Sequence, residues 1–216
     1  EFDEKLHVSK LPFVASPDRP LLRGWDAHPN GLYIGVVWAQ LGPNKRLHYL
    51  RSELYERTGV KRAIEDVQAL TRMYWPAYGC LDFGDPAMFI QSKIEMVSIA
   101  DVMQRYKINL MAGAVAFNTR REVMAEWLQR LSDKQPAFQI NDVPETLMLR
   151  DGLAAGYVWP TLDEGYVTRK VPEKNEYSHI VEAAQYLITG LGDWMWADTI
   201  RKAPARPGGS LGWMGA

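Results

Sequence analysis

The sequence has one cysteine, Cys80, which excludes an internal disulfide framework and any zinc site built on cysteines. It has no long hydrophobic run. The longest apolar stretches, residues 32–39 and 108–117, are too short to span a bilayer and are broken by polar residues or glycine. Neither sign of charge is in excess: 25 Lys+Arg stand against 26 Asp+Glu, a formal net charge of −1. That balance argues against a protein that coats nucleic acid, while permitting a local basic track beside an acidic site. No Gly-x-x-x-x-Gly-Lys-Ser/Thr phosphate loop occurs, so ATP hydrolysis by this chain is not expected. No basic-then-apolar leader opens the sequence, and the expected compartment is a reducing cytoplasm. What remains is ordinary globular composition, 47% hydrophobic and 24% charged over 216 residues, enough for one domain with a sizeable core.

Residues 1–20 carry Pro12, Pro17 and Pro20 around Ser16 and Asp18 and read as an extended lead-in. The domain proper is expected over 21–191, followed by a tail, 192–216, in which Trp194, Trp196 and Trp213 stand among prolines and glycines. Three strands, 21–26, 32–39 and 46–54, separated by Pro29-Asn30-Gly31 and Gly42-Pro43-Asn44, predict an antiparallel meander. After Gly59, Val60, Ile64, Val67 and Leu70 recur at helical spacing until Pro76 and Gly79. A short apolar strand, 80–83, runs into Asp85-Pro86. Then follow a helix over 94–106, a strand over 109–112, and a third helix from an Asn118-Thr119 cap to Leu131. Residues 138–141 read as a strand and 143–153 as a helix. A β-hairpin is expected over 157–168 around Pro160 and Gly165, with a basic arm of Arg169, Lys170 and Lys174. The last helix spans 177–191. This order predicts an α/β fold: three antiparallel strands, then parallel strands reached by crossovers, with helices flanking a mixed sheet. Trp25, Trp38, Trp75 and Trp127 are expected in the core.

Three acids fall where such a fold can gather them. Asp26 ends the first strand, Asp85 follows the fourth, and Glu182 lies in the last helix. Neighbouring carboxylates need positive compensation, which Mg²⁺ or Mn²⁺ supplies. Two such ions about 3.5–4 Å apart can activate a water and stabilise a leaving oxygen in phosphodiester cleavage. His179, three residues before Glu182, shares its helix face, as a ligand or in proton transfer. Asp82 is the alternative to Asp85. Strand alternation turns it differently from its neighbours, whereas Pro86 fixes the chain just beyond Asp85.

The runs Arg23-Gly24-Trp25-Asp26, Trp38-Ala39-Gln40, Gly84-Asp85-Pro86-Ala87 and Lys174-Asn175-Glu176-Tyr177-Ser178-His179-Ile180-Val181-Glu182-Ala183, with Gln185-Tyr186, stand in a particular order. In that order and spacing the sequence resembles the nuclease domain of tailed-bacteriophage large terminases, from about Leu6 to Gly190. The resemblance implies a ribonuclease H-like fold with an added β-hairpin. It implies a divalent-metal-dependent endonuclease that cuts concatemeric double-stranded DNA during genome packaging in the cytoplasm of an infected bacterial host. It further implies metal ligands at Asp26, Asp85 and Glu182 with His179 nearby, two Mg²⁺ or Mn²⁺ ions, and an ATPase domain, a small terminase subunit and a portal as partners. Two positions depart from the family pattern. Ala27-His28-Pro29-Asn30-Gly31 follows the first acid where Gly and Thr-Pro-Ala are usual, and Glu182 stands where Asp is usual.

Basic residues near such a site would contact phosphates without reading bases. Arg120, Lys170 and Lys174 are the expected DNA contacts. Two other readings fit the same residues: a non-catalytic DNA-binding or docking module of the packaging motor, and a ribonuclease H-like nuclease acting on junctions or hybrids.

Overall fold

The computed structural model describes residues 2–28, 31–91, 96–158 and 172–192. Its centre is the predicted meander: β2 (Leu21–Ala27), β3 (Tyr33–Leu41) and β4 (Leu47–Glu56) pair antiparallel. Helix α2 (Val60–Tyr74) carries the chain across to β5 (Cys80–Gly84), which pairs parallel with β2. Helix α3 (Ile99–Arg105) leads to β6 (Leu110–Ala112), parallel to β5. Beyond β4, on the other side, lie β9 (Phe138–Asn141) and β1 (Val8–Ser9), each parallel to its neighbour. The seven-stranded sheet thus has the order β1-β9-β4-β3-β2-β5-β6.

Both faces of this sheet are covered, and the strand sequences reflect it. All seven residues of β2 are buried, as expected for a central strand between two layers. Leu22 lies in one core with α6 (Glu176–Leu191), α4 (Phe117–Gln129) and α5 (Leu147–Asp151). Trp25 and Ala27 lie in the other, with α2 and α3. Two glycines set how closely α6 approaches: a Cβ on Gly24 would sit 2.2 Å from the Ala183 carbonyl oxygen, and one on Gly35 would sit 2.4 Å from that of His179. Any side chain there would lift the helix off the sheet.

Several boundaries differ from the sequence reading, each for a local reason. Helix α3 starts at Ile99 rather than 94, because Ser98 and Asp101 form a reciprocal capping box. Helix α4 starts at Phe117, with Ala116 as the capping residue and no side-chain cap bond, so Asn118 and Thr119 lie inside the first turn. It ends at Gln129, and Leu131, expected inward, is 65% exposed in a small hairpin of β7 (Leu131–Ser132) and β8 (Gln135–Pro136). The helix expected over 143–153 is a 3-10 turn (Pro144–Thr146), then α5, then a π-helical turn (Gly152–Gly156).

The lead-in is folded as well as extended. Helix α1 (Glu4–His7) and β1 precede a stretch tied down by buried side chains: Asn141 bonds both the amide and the carbonyl of Phe13, and Gln40 does the same for Ser16. From residue 159 on, the expected hairpin, with Arg169 and Lys170, lies outside the described residues, as does all but the first residue of the tail. Trp25, Trp38 and Trp127 are buried as expected; Trp75 is half-buried.

Candidate metal centre

Strands β2 and β5 run in the same direction with Trp25 opposite Gly84, so their carboxyl ends coincide. The ladder continues one step further, the Asp85 amide donating to the Trp25 carbonyl at 3.1 Å. Asp26, still paired with Gly35 of β3, and Asp85, one residue past β5, therefore lie side by side. One Asp85 oxygen accepts the Ala87 amide at 2.8 Å and caps the 3-10 turn Pro86–Phe89, so the Asp-Pro turn holds the candidate ligand Asp85 in place.

Helix α6 crosses above these ends. Asn175 caps it, its side chain accepting the Ser178 amide at 2.8 Å in a reciprocal box, which fixes the rotation that sends His179 and Glu182 toward β2. His179 Nδ1 lies 2.7 Å from Asp26 Oδ2. An ionised carboxylate only accepts, so Nδ1 is the ring nitrogen that carries the proton toward Asp26. The Tyr33 ring lies 5.3 Å from the imidazole.

Glu182 is 4% exposed. Burial, and next the charge of Asp26, push its carboxyl above the usual carboxylate range, while Lys174 and Arg120 oppose the shift. Lys174 Nζ donates to Glu182 Oε2 at 2.6 Å, and Arg120 Nη2 stands 3.6 Å from the same oxygen. The Tyr186 hydroxyl gives a second view of this charge. It is pushed well up by burial, then by Asp85, with Asp26 and Glu182 adding to the effect. All three predicted acids act on this one phenol.

The structure thus brings Asp26, Asp85, Glu182 and His179 to one end of the sheet. It does not close them around a point: among the described residues, no three His, Cys, Asp or Glu side chains converge closely enough to hold an ion. Asp26 faces His179 and Glu182 faces two cations. Asp82, the alternative to Asp85, points to the other side of the sheet, where both its oxygens accept from Arg23 at 2.8 Å.

Of the expected DNA contacts, Lys174 is exposed beside Glu182, and Lys170 lies outside the described residues. Arg120 differs from expectation. It is 8% exposed and bonded to the Val115 carbonyl at 2.9 Å, with its guanidinium over the Tyr186 ring at 4.6 Å. It is a buried partner of Glu182 rather than a free phosphate-binding arm. No local pattern at Arg120 signals this, because the contact joins α4 to α6 across 62 positions of sequence.

No family model and no curated protein matches the sequence. Solved structures do match in fold. The g2p (large terminase) nuclease domain of bacteriophage SPP1, solved with bound Mn, superposes with a TM-score of 0.55 at 15% identity, over 85% of this chain and 95% of that one. The P22 large terminase nuclease domain gives 0.54 at 10% identity, over 91% and 90%. The large terminase nuclease of thermophilic phage G20c gives 0.53 at 13% identity, over 87% and 94%. The resemblance read from the motifs is borne out at the level of the fold.

Proposed function

We propose that this chain is a divalent-metal-dependent endonuclease that cuts concatemeric double-stranded viral DNA during genome packaging, as the nuclease part of a large terminase. The observation that carries the proposal is the placement of Asp26 and Asp85 at adjoining carboxyl ends of parallel strands, with Glu182 of α6 above them. The donor set fits Mg²⁺ or Mn²⁺: hard carboxylate oxygens, two of them on nearly buried side chains whose like charges act on each other. Asp26, Asp85 and Glu182 would hold the ions. When bound, two such ions supply water activation and charge stabilisation at the scissile phosphate. His179 would orient Asp26 through Nδ1, the second ring nitrogen being left for a ligand or proton-transfer role. Lys174, with Lys170, would meet phosphates. Double-stranded DNA, an ATPase domain, a small terminase subunit and a portal are the partners this reading implies, in the cytoplasm of an infected bacterial host.

A second reading, a non-catalytic DNA-binding or docking module, is favoured by one observation, that Glu182 already pairs with Lys174 and Arg120. Incubation with supercoiled plasmid separates the two. We expect nicked and linear DNA with Mn²⁺ and none with EDTA. A folded chain that binds plasmid and leaves it intact in Mn²⁺ would establish the module instead. Preferential cutting of four-way junctions or RNA–DNA hybrids in the same assay would move the substrate away from duplex DNA.

A further inference from the structure

The two cations on Glu182 are held in different ways. Arg120 has a side chain only 9% exposed, fastened to the Val115 carbonyl and laid over Tyr186. These contacts, with a bond to Gln185 of α6, hold it beside Glu182. Lys174 is closer to the same oxygen, 2.6 Å against 3.6 Å, yet its side chain is 60% exposed and precedes the helix cap at Asn175. A lysine on a four-carbon stem in solvent can leave with nothing else moving.

We infer that Lys174 is a built-in counter-cation of the metal centre, which a divalent ion displaces from Glu182 when Glu182 becomes a ligand. The inference rests on Asp26, Asp85 and Glu182 being the metal-binding acids and deepens that reading. With no ion bound, the Asp26–Glu182 couple sits in a nearly buried place, and the ammonium supplies the missing positive charge. A dication on Glu182 Oε2 would meet that ammonium at a distance where like charges repel strongly. The ion and the lysine therefore compete, and the ion's affinity is lowered by whatever the Lys174–Glu182 contact contributes. Because Lys174 is mostly exposed, that contribution is modest, about three- to tenfold in affinity. The displaced ammonium then faces solvent next to the centre, free to meet a phosphate. Competition also singles out one ion: the position using Glu182 is penalised, while one between Asp26 and Asp85 is not.

Mn²⁺ binding to the whole, DNA-free chain tests this, with free Mn²⁺ counted by its electron paramagnetic resonance signal. Lys174→Met keeps the stem and removes the charge; Lys174→Arg keeps the charge. Circular dichroism checks that both are folded. We expect Lys174→Met to tighten the weaker Mn²⁺ binding step about three- to tenfold, with Lys174→Arg within about twofold of the parent. Measurable Mn²⁺ binding that is unchanged or weakened in Lys174→Met, or tightened equally in both variants, would overturn the counter-cation role while leaving the metal centre standing. No Mn²⁺ binding by the parent or either variant would overturn the metal reading, and this inference with it.

Discussion

Strand β2 carries charge on both of its faces, and the two faces treat it in opposite ways. On the side of α2, Arg23 is clamped by both oxygens of Asp82. Asp82 also accepts from Trp25 Nε1 at 2.7 Å. The Thr71 hydroxyl accepts from Trp38 Nε1 and Arg23 and donates to the Val67 carbonyl. Arg23 and Asp82 cancel each other's charge, and the indoles of Trp25 and Trp38 and the hydroxyl of Thr71 each donate within the cluster. On the side of α6, Asp26 and Glu182 have the same sign and depend on an imidazole and two cations of neighbouring elements. Burial alone therefore does not distinguish the candidate site from the cluster on the other face. The proposed site is the cluster in which three acids, Asp26, Asp85 and Glu182, gather beside two cations, Lys174 and Arg120.

The sharpest way to break this contrast is to neutralise one acid on each face. Asp26→Asn is expected to lower plasmid cleavage in Mn²⁺ by more than about 10³-fold, since a metal-bound transition-state charge loses its anchor. The melting temperature should stay level or rise, because one of two like charges has gone. Calorimetry together with the nicking assay checks both halves, and a cleaving, correctly folded Asp26→Asn chain would remove Asp26 from the centre. Asp82→Ala is expected to do the reverse. It leaves Arg23 buried and unpaired, which costs about 3–5 kcal/mol and lowers the melting temperature by roughly 10 °C. Cleavage by the fraction that remains folded should persist, and a normally stable but inactive Asp82→Ala chain would exchange the roles given to the two faces.

His48 sharpens the comparison with a smaller effect. It stands opposite Gln40 in the β3–β4 ladder, stacked on Phe13 at 4.0 Å, and its Nδ1 is buried with no hydrogen-bond partner among the described residues. Burial, then the Arg46 charge, lower the ring from its ordinary value to about 4. A histidine lowered in this way favours the folded state above about pH 6.5, and that advantage is lost as pH falls toward 4. The parent chain should therefore lose stability across that window relative to His48→Phe, which keeps the stack and cannot titrate. Parallel denaturation curves at pH 7 and pH 5 measure it, and coincident losses in the two chains would show that His48 is not charged on unfolding.

Periodicity made the meander, α2, β5, β6 and α6 legible, because each is an uninterrupted run with one dominant repeat. It misplaced the start of α3, where Ser98 and Asp101 act as a pair, and the start of α4, where an alanine stands in the capping position. It also missed the break from α5 into the π-helical turn, since no proline marks it. In the site, strand position was enough to place Asp26 and Asp85 together, and parity alone separates Asp85 from Asp82 once Arg23 is known to lie opposite Asp82. Arg120 was not legible: whether a charged residue in a first helical turn is solvated or buried depends on what packs above it, and that is a helix far along the chain.

The lead-in has a consequence for how copies of this chain treat one another. Strand β1 joins β9 through only two residue pairs, Val8 with Ile140 and Ser9 with Asn141, closing a loop of more than a hundred residues. Beyond it Leu11 and Val14 are almost fully exposed, while Phe2, His7 and Phe13 fasten the strap to the core, to Phe138 and to His48. Without β1, the N–H and C=O groups along the outer side of β9 would stand unpaired, as at any sheet edge. The short strap is thus the guard on this edge, standing where a strand of another copy would otherwise pair.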